Sequence, residues 1–149
     1  METAQMKAAV NGVESIIGYV FHDRFLLWEA LQAAGSPVVH AGGRSFRNGN
    51  KRLAVLGDTV LQLVLVEQWY AGEQARVAFD ESRQRIGSND NLTIIGNQTG
   101  LNAFVNRAGG MTVISPTTMA ATVEAVLGAV YLDGSLQAVT PVMQTLGLV

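Results

Sequence analysis

The chain has 149 residues, 48% apolar and only 15% charged, with a net charge of −2 and a pI of about 5.6. One domain is the default at that length, and a charged share well below the roughly 25% of average soluble domains favours surface hidden in a homo-oligomer. The absence of cysteine excludes disulfides, thiol catalysis and cysteine-held zinc, and two histidines, His22 and His40, are too few for a histidine metal cluster.

Residues 1–13 are mixed in polarity, with Glu2, Gln5 and Lys7, and read as a lead-in to a single domain over 14–149. They lack the basic-then-apolar order of a secretory signal. The longest apolar stretches, 53–66 and 119–132, fall short of the ~20 residues that span a bilayer. An intracellular protein is the expectation.

Apolar residues from Ile16 to Leu31 recur at helical spacing and predict a helix over 14–33, with a break at Phe21 to Asp23 and a stop at Gly35, Ser36 and Pro37. Residues 34–50 predict a loop, because Gly42, Gly43 and Gly49 lie among Arg, Ser and Asn. The strongest helix is 53–70, and in its first part only Asp58, Thr59 and Gln62 are polar. A helix that is apolar almost all round predicts burial. A polar helix follows over 73–88, then one over 89–97 and a short continuation over 101–105. Residues 107–115 predict a turn through Gly109-Gly110, and Pro116 suits the first turn of a helix that runs to Leu132. Asp133-Gly134 ends it, and a closing helix over 136–146 is expected to bend at Pro141. No segment alternates as a strand does, so the fold class is all-α.

Basic residues gather in two places despite the acidic balance. Arg44, Arg47, Lys51 and Arg52 form one group, and Arg76, Arg83 and Arg85 the other. Each is either a solvated stretch or a patch that meets a phosphate backbone.

Asp58 and Glu124 are each the lone acid in an apolar stretch that the pattern predicts to be buried. A dry carboxylate is expensive unless it is paired, hydrogen-bonded or metal-bound. Asp58 shares a helix face with Gln62, and Glu124 lies in a stripe of small and polar residues with Thr117, Ala121 and Gly128. Two readings stand side by side. The acids pair with arginine or cap a neighbouring helix, or they form a divalent-cation site where the two stripes meet.

Four segments together carry a resemblance to a known family. Ile17-Gly-Tyr-Val-Phe-His-Asp-Arg-Phe-Leu-Leu27 with Glu29-Ala-Leu31 is similar to the family's opening helix, and Asn50-Lys-Arg-Leu-Ala-Val-Leu-Gly-Asp-Thr-Val-Leu61 to its signature. Asn91-Leu92 through Gly100-Leu101 resembles the next block, and Glu124-Ala-Val-Leu-Gly-Ala-Val-Tyr-Leu-Asp-Gly134 the last. They occur in order, cover roughly residues 14–146, and together resemble the ribonuclease III catalytic domain.

The resemblance implies an all-helical fold that dimerises through the signature helix. It implies an acidic cluster that binds Mg²⁺ or Mn²⁺ and hydrolyses double-stranded RNA. Asp58 and Glu124 would be the catalytic metal ligands. The chain departs from the family at the site: the signature's two glutamates map to Lys51 and Ala54, the family's aspartate three residues before the last glutamate to Ala121, and a lysine after the proline to Thr117. Two of the four usual carboxylates remain. Mg²⁺ can be held by one or two carboxylates with water and substrate phosphate, so weakened metal binding and reduced cleavage are expected. Asp80 or Glu81 substituting from elsewhere is left open by spacing alone.

No double-stranded RNA-binding domain is read after residue 146. RNA contact is therefore expected to rest on Arg44, Arg47, Lys51, Arg52, Arg83 and Arg85, salt-sensitive and read by shape. The alternative is a catalytically inactive member of the same fold that binds RNA or protein within a ribonucleoprotein. A heterodimer with an intact partner is a third reading.

Overall fold

The computed structural model describes residues 1–110 and 112–149, so the turn predicted over 107–115 lies partly outside the described residues, at Met111. Among the described residues there are six α-helices, one 3₁₀ turn and one two-stranded hairpin. The all-α expectation holds, with the hairpin as a minor addition.

Helix α1 (Ala4–Ile17) begins well before residue 14. The Thr3 side chain caps it by accepting from the Met6 amide at 3.1 Å. It buries Met6, Ala9, Val10, Val13 and Ile17, an i, i+3, i+4, i+7 stripe. Thus the residues read as a lead-in supply part of the core. Gly18, at φ 70°, ends α1. Helix α2 (Arg24–Ala30) starts after Asp23, whose carboxylate accepts from the Phe25 amide.

The segment read as loop contains strands β1 (His40–Ala41) and β2 (Arg44–Ser45), antiparallel with His40 opposite Ser45. Gly42 and Gly43 both take positive φ, 58° and 80°. A two-residue turn of that hand matches the twist of paired strands.

Helices α3 (Lys51–Ala71), α4 (Arg76–Ile86) and α5 (Asn89–Thr99) follow, then a 3₁₀ turn at Leu101–Phe104. Helix α6 (Pro116–Leu146) is the central element, packed chiefly on α3, with α5 and α2 beside it. It starts where predicted: the Ser115 hydroxyl accepts from the Thr118 amide at 3.1 Å, and Pro116 occupies the first turn. From Met119 to Val130 nearly every residue is buried. By length and composition α6 is apolar enough to cross a membrane, but more than half of its most apolar stretch is buried inside the fold, as in the core helix of a globular domain.

The break lies at Ser135, with φ 65°, beside the stop expected at Asp133-Gly134, and the expected bend at Pro141 is absent. Pro141 and Gln137, whose carbonyl loses its donor, are both exposed, so water can replace the missing bond and the helix continues.

Helix α3 corrects the sequence expectation most. It buries Leu53, Ala54, Gly57, Val60, Leu61, Val64 and Leu65 against the body of the fold. Its other side leaves Val55 71% and Tyr70 85% exposed, with Leu63 and Val66 also open. Apolar composition alone does not distinguish a helix buried in its own chain from one with an open apolar face.

Candidate metal centre at the α3–α6 crossing

Asp58 and Glu124 come together because two glycines let α3 and α6 approach backbone to backbone. A methyl group at Gly57 would strike the Glu124 carbonyl, and one at Gly128 would stand 2.6 Å from the Leu53 carbonyl oxygen. Asp58 follows Gly57 directly, and the Glu124 backbone faces that glycine, so the two acids leave the crossing on the same side. Asp58 is exposed rather than buried, and Glu124 is half-buried. Among the described residues, neither acid forms an ion pair with arginine.

Burial, then the charge and hydrogen bonding of Asp58, push the Glu124 carboxyl up to about 8. The Glu124 carboxyl therefore favours its protonated form at neutral pH, the direction expected beside a second carboxylate. A divalent cation bound there would displace that proton and relieve the repulsion. The donor chemistry fits a hard ion such as Mg²⁺ or Mn²⁺, with water or phosphate completing its shell. Among the described residues no cluster of three or more His, Cys, Asp or Glu is placed to hold a metal. Ala54 and Ala121, one turn before each acid, bring only methyl groups. Thr117, in the first turn of α6, is exposed.

Asp80 is paired with arginine. It lies between Arg83 and Arg76, each 3.0 Å away, and the Arg83 hydrogen bond is the main reason its carboxyl sits below the ordinary range. Arg83 also donates from Nη1 to Gln62 Oε1 at 3.3 Å, which ties α4 to the acid-bearing face of α3. Thr59 turns its hydroxyl back to the Val55 carbonyl.

The basic residues separate into two kinds. Arg47, Lys51 and Arg52 are exposed around the start of α3 and make no ion pair among the described residues. Arg44 is drawn away from them: Nε donates to Glu29 Oε1 at 3.0 Å and Nη1 lies 3.4 Å from Asp23. Arg76 and Arg83 rest over the stacked rings of Trp69 and Phe79 and share Asp80. Arg85 has only a 3.5 Å contact to Ser82.

The residue most easily overlooked is Asp133. Its side chain is 2% exposed. Oδ2 accepts from the Tyr19 hydroxyl at 2.6 Å, the His22 amide at 2.9 Å and the His22 ring, while Oδ1 accepts from the Asp23 amide at 2.8 Å. An acid beside a glycine reads locally as a helix stop. Its partners lie more than a hundred residues away and give no local signal.

A family model described as Ribonuclease-III-like matches residues 38–148. Ribonuclease 3 of Idiomarina loihiensis is 30% identical over 145 residues, covering 92% of this chain and 58% of that protein. Ribonuclease 3 of Caldanaerobacter subterraneus is 33% identical over 137 residues, covering 88% of this chain and 59% of that protein. The chain thus spans about three fifths of the length of these relatives. The nuclease domain of ribonuclease III from Campylobacter jejuni shares the fold, with a TM-score of 0.73 at 24% identity, covering 92% of this chain and 95% of that one. That structure is described in terms of a flexible region involved in dimer formation.

Proposed function

This chain belongs to the ribonuclease III family, and from that premise we propose that it is a divalent-metal-dependent endoribonuclease of reduced activity that acts on double-stranded RNA. The supporting observation is the convergence of Asp58 and Glu124 at the α3–α6 crossing, where burial and the second carboxylate raise the Glu124 carboxyl.

Asp58 and Glu124 would hold Mg²⁺ or Mn²⁺ through their carboxylate oxygens. When bound, the ion supplies charge stabilisation at the phosphoryl oxygens and a more acidic water. Glu124 must give up its proton before it can serve as a ligand. Arg47, Lys51 and Arg52, which make no ion pair among the described residues, offer charge to the phosphate backbone beside Asp58. Arg44 is already engaged with Glu29 and Asp23, so it contributes less to RNA than its place in the sequence implies. Arg83 and Arg85 contact RNA from α4 in the same reading, Arg83 while it holds Gln62.

The decisive assay is cleavage of a long, fully paired RNA with Mg²⁺ and then Mn²⁺, beside Asp58→Asn and Glu124→Gln. The parent protein is expected to release short duplexes, and each variant to lose at least about 100-fold in rate. Retention of RNA at low salt with no cleavage in any metal would refute the nuclease and leave an inactive binding member of the family, the reading favoured by Ala54 and Ala121.

The open face of α3 fits a second copy of this chain. Val55, Leu63, Val66 and Tyr70 lie along one side of the helix, and an unpartnered apolar face of that length marks an interface. A charge placed in its middle, Leu63→Asp, is expected to convert the dimer to monomer in sedimentation at micromolar concentration and leave helical circular dichroism intact. A parent protein that sediments as a monomer at the same concentration rules the dimer out.

A further inference from the structure

Lys51, Ala54, Asp58 and Gln62 recur at helical spacing along one face of α3. Facing Asp58 across the crossing is Glu124, with Ala121 one turn before it. Asp58 and Glu124 are the acids that the crossing brings together, and no larger acidic group is placed to hold a metal among the described residues. Two divalent ions in a shared hydrolytic site lie roughly 4 Å apart. Together they carry twice the charge that two carboxylates can neutralise. Ala54 is 7% exposed and belongs to the apolar core, so it brings no further ligand atom to the site.

Positive charge already flanks the acids along α3. Lys51 stands two turns before Asp58, exposed and without an ion pair among the described residues. One turn beyond Asp58, Gln62 holds Arg83. We infer that the α3–α6 site takes one divalent cation per chain, not a pair, and that the Lys51 ammonium faces a substrate phosphate where a second ion would otherwise supply charge. This rests on the metal-dependent nuclease reading and deepens it.

The test is a Mn²⁺ titration of the whole chain, with free Mn²⁺ followed by electron paramagnetic resonance. One ion per chain is expected, lost in Asp58→Asn. A second site is expected to appear in the double variant Ala54→Glu, Ala121→Asp. Because Ala54 is buried, Ala121→Asp alone serves as a gentler variant, and it should bind the single ion about tenfold tighter. Two ions per parent chain would overturn the inference and leave the nuclease reading in place. No bound ion, with RNA cleavage also absent, would overturn both.

Lys51→Gln separates the second half of the inference. It should leave the Mn²⁺ stoichiometry at one, weaken duplex RNA binding, and lower the salt slope of that binding by about 1. An unchanged slope and affinity would remove Lys51 from the site.

Discussion

Replacing Gly57 with alanine is expected to destabilise the protein by about 3 kcal/mol or more, although the same change inside an ordinary helix is favourable. Alanine exceeds glycine in helix propensity by about 1 kcal/mol, and it also reduces the entropy of the unfolded chain. Against this stands the position of the new methyl group, which would fall on the Glu124 carbonyl and near the Gly128 amide nitrogen. These are backbone atoms of the central helix, so no rotamer change relieves the clash. Helices α3 and α6 must separate, and the contacts of Val60, Leu61, Val123 and Leu127 around the crossing loosen with them. The melting temperature should fall by roughly 10 °C or more. Gly72→Ala is the control: it adds a methyl 3.5 Å from the nearest carbonyl oxygen, an ordinary contact, and should change stability by less than about 0.5 kcal/mol. A Gly57→Ala protein that melts with the parent would show that the crossing is not close enough to place the two acids.

The same crossing explains why the meeting of Asp58 and Glu124 was legible from sequence while several surrounding features were not. A lone acid in each of two apolar helices is a local signal, and so are Ser115-Pro116 and the spacing of α5. Helix α1 was legible in principle: Met6, Ala9, Val10, Val13 and Ile17 carry the full stripe. Small alanines and the polar residues between them weaken that pattern by eye. The hairpin had its signal in Gly42-Gly43, but two residues per strand are too few to show alternation. Other features depend on distance. Arg44 has basic neighbours in sequence, yet Glu29 and Asp23 claim it in the fold. The open face of α3 and the buried face of α6 have similar compositions, and only packing distinguishes them. The bend that proline chemistry favoured at residue 141 does not occur. The break at Ser135 was announced locally by Asp133-Gly134, but the hydrogen bonds at Asp133 and the close approach of Tyr19 to Gly134 that coincide with it were not.

That last tie is also the second point of large effect. Asp133→Ala is expected to lower stability by about 4 kcal/mol and Asp133→Asn by about 2 kcal/mol. Alanine leaves the Tyr19 hydroxyl and the His22 and Asp23 amides without their acceptor, and hydrogen bonds to a charged group contribute about 1.5–3 kcal/mol each. Water can reach some of these donors, which holds the total below the simple sum. Asparagine can keep an oxygen on the Oδ2 side, but its amide then meets the Asp23 amide donor. Acid titration provides an independent check. Burial alone would raise the Asp133 carboxyl, but hydrogen bonds from Tyr19, Asp23 and His22 outweigh it and hold the group below its ordinary value. A carboxyl lower in the folded than in the unfolded chain stabilises the fold above about pH 4. That contribution is lost as the pH falls through the lower, folded value. The stability difference between parent and Asp133→Asn should therefore be full at pH 6 and shrink below pH 4 in urea unfolding. A difference that stays constant down to pH 2 would mean that Asp133 acts through shape, not charge. Tyr19 shows the reciprocal effect, since burial and then the Asp133 bond push its hydroxyl up to about 12. Its proton is therefore retained as the donor that joins the loop after α1 to the bend of the central helix.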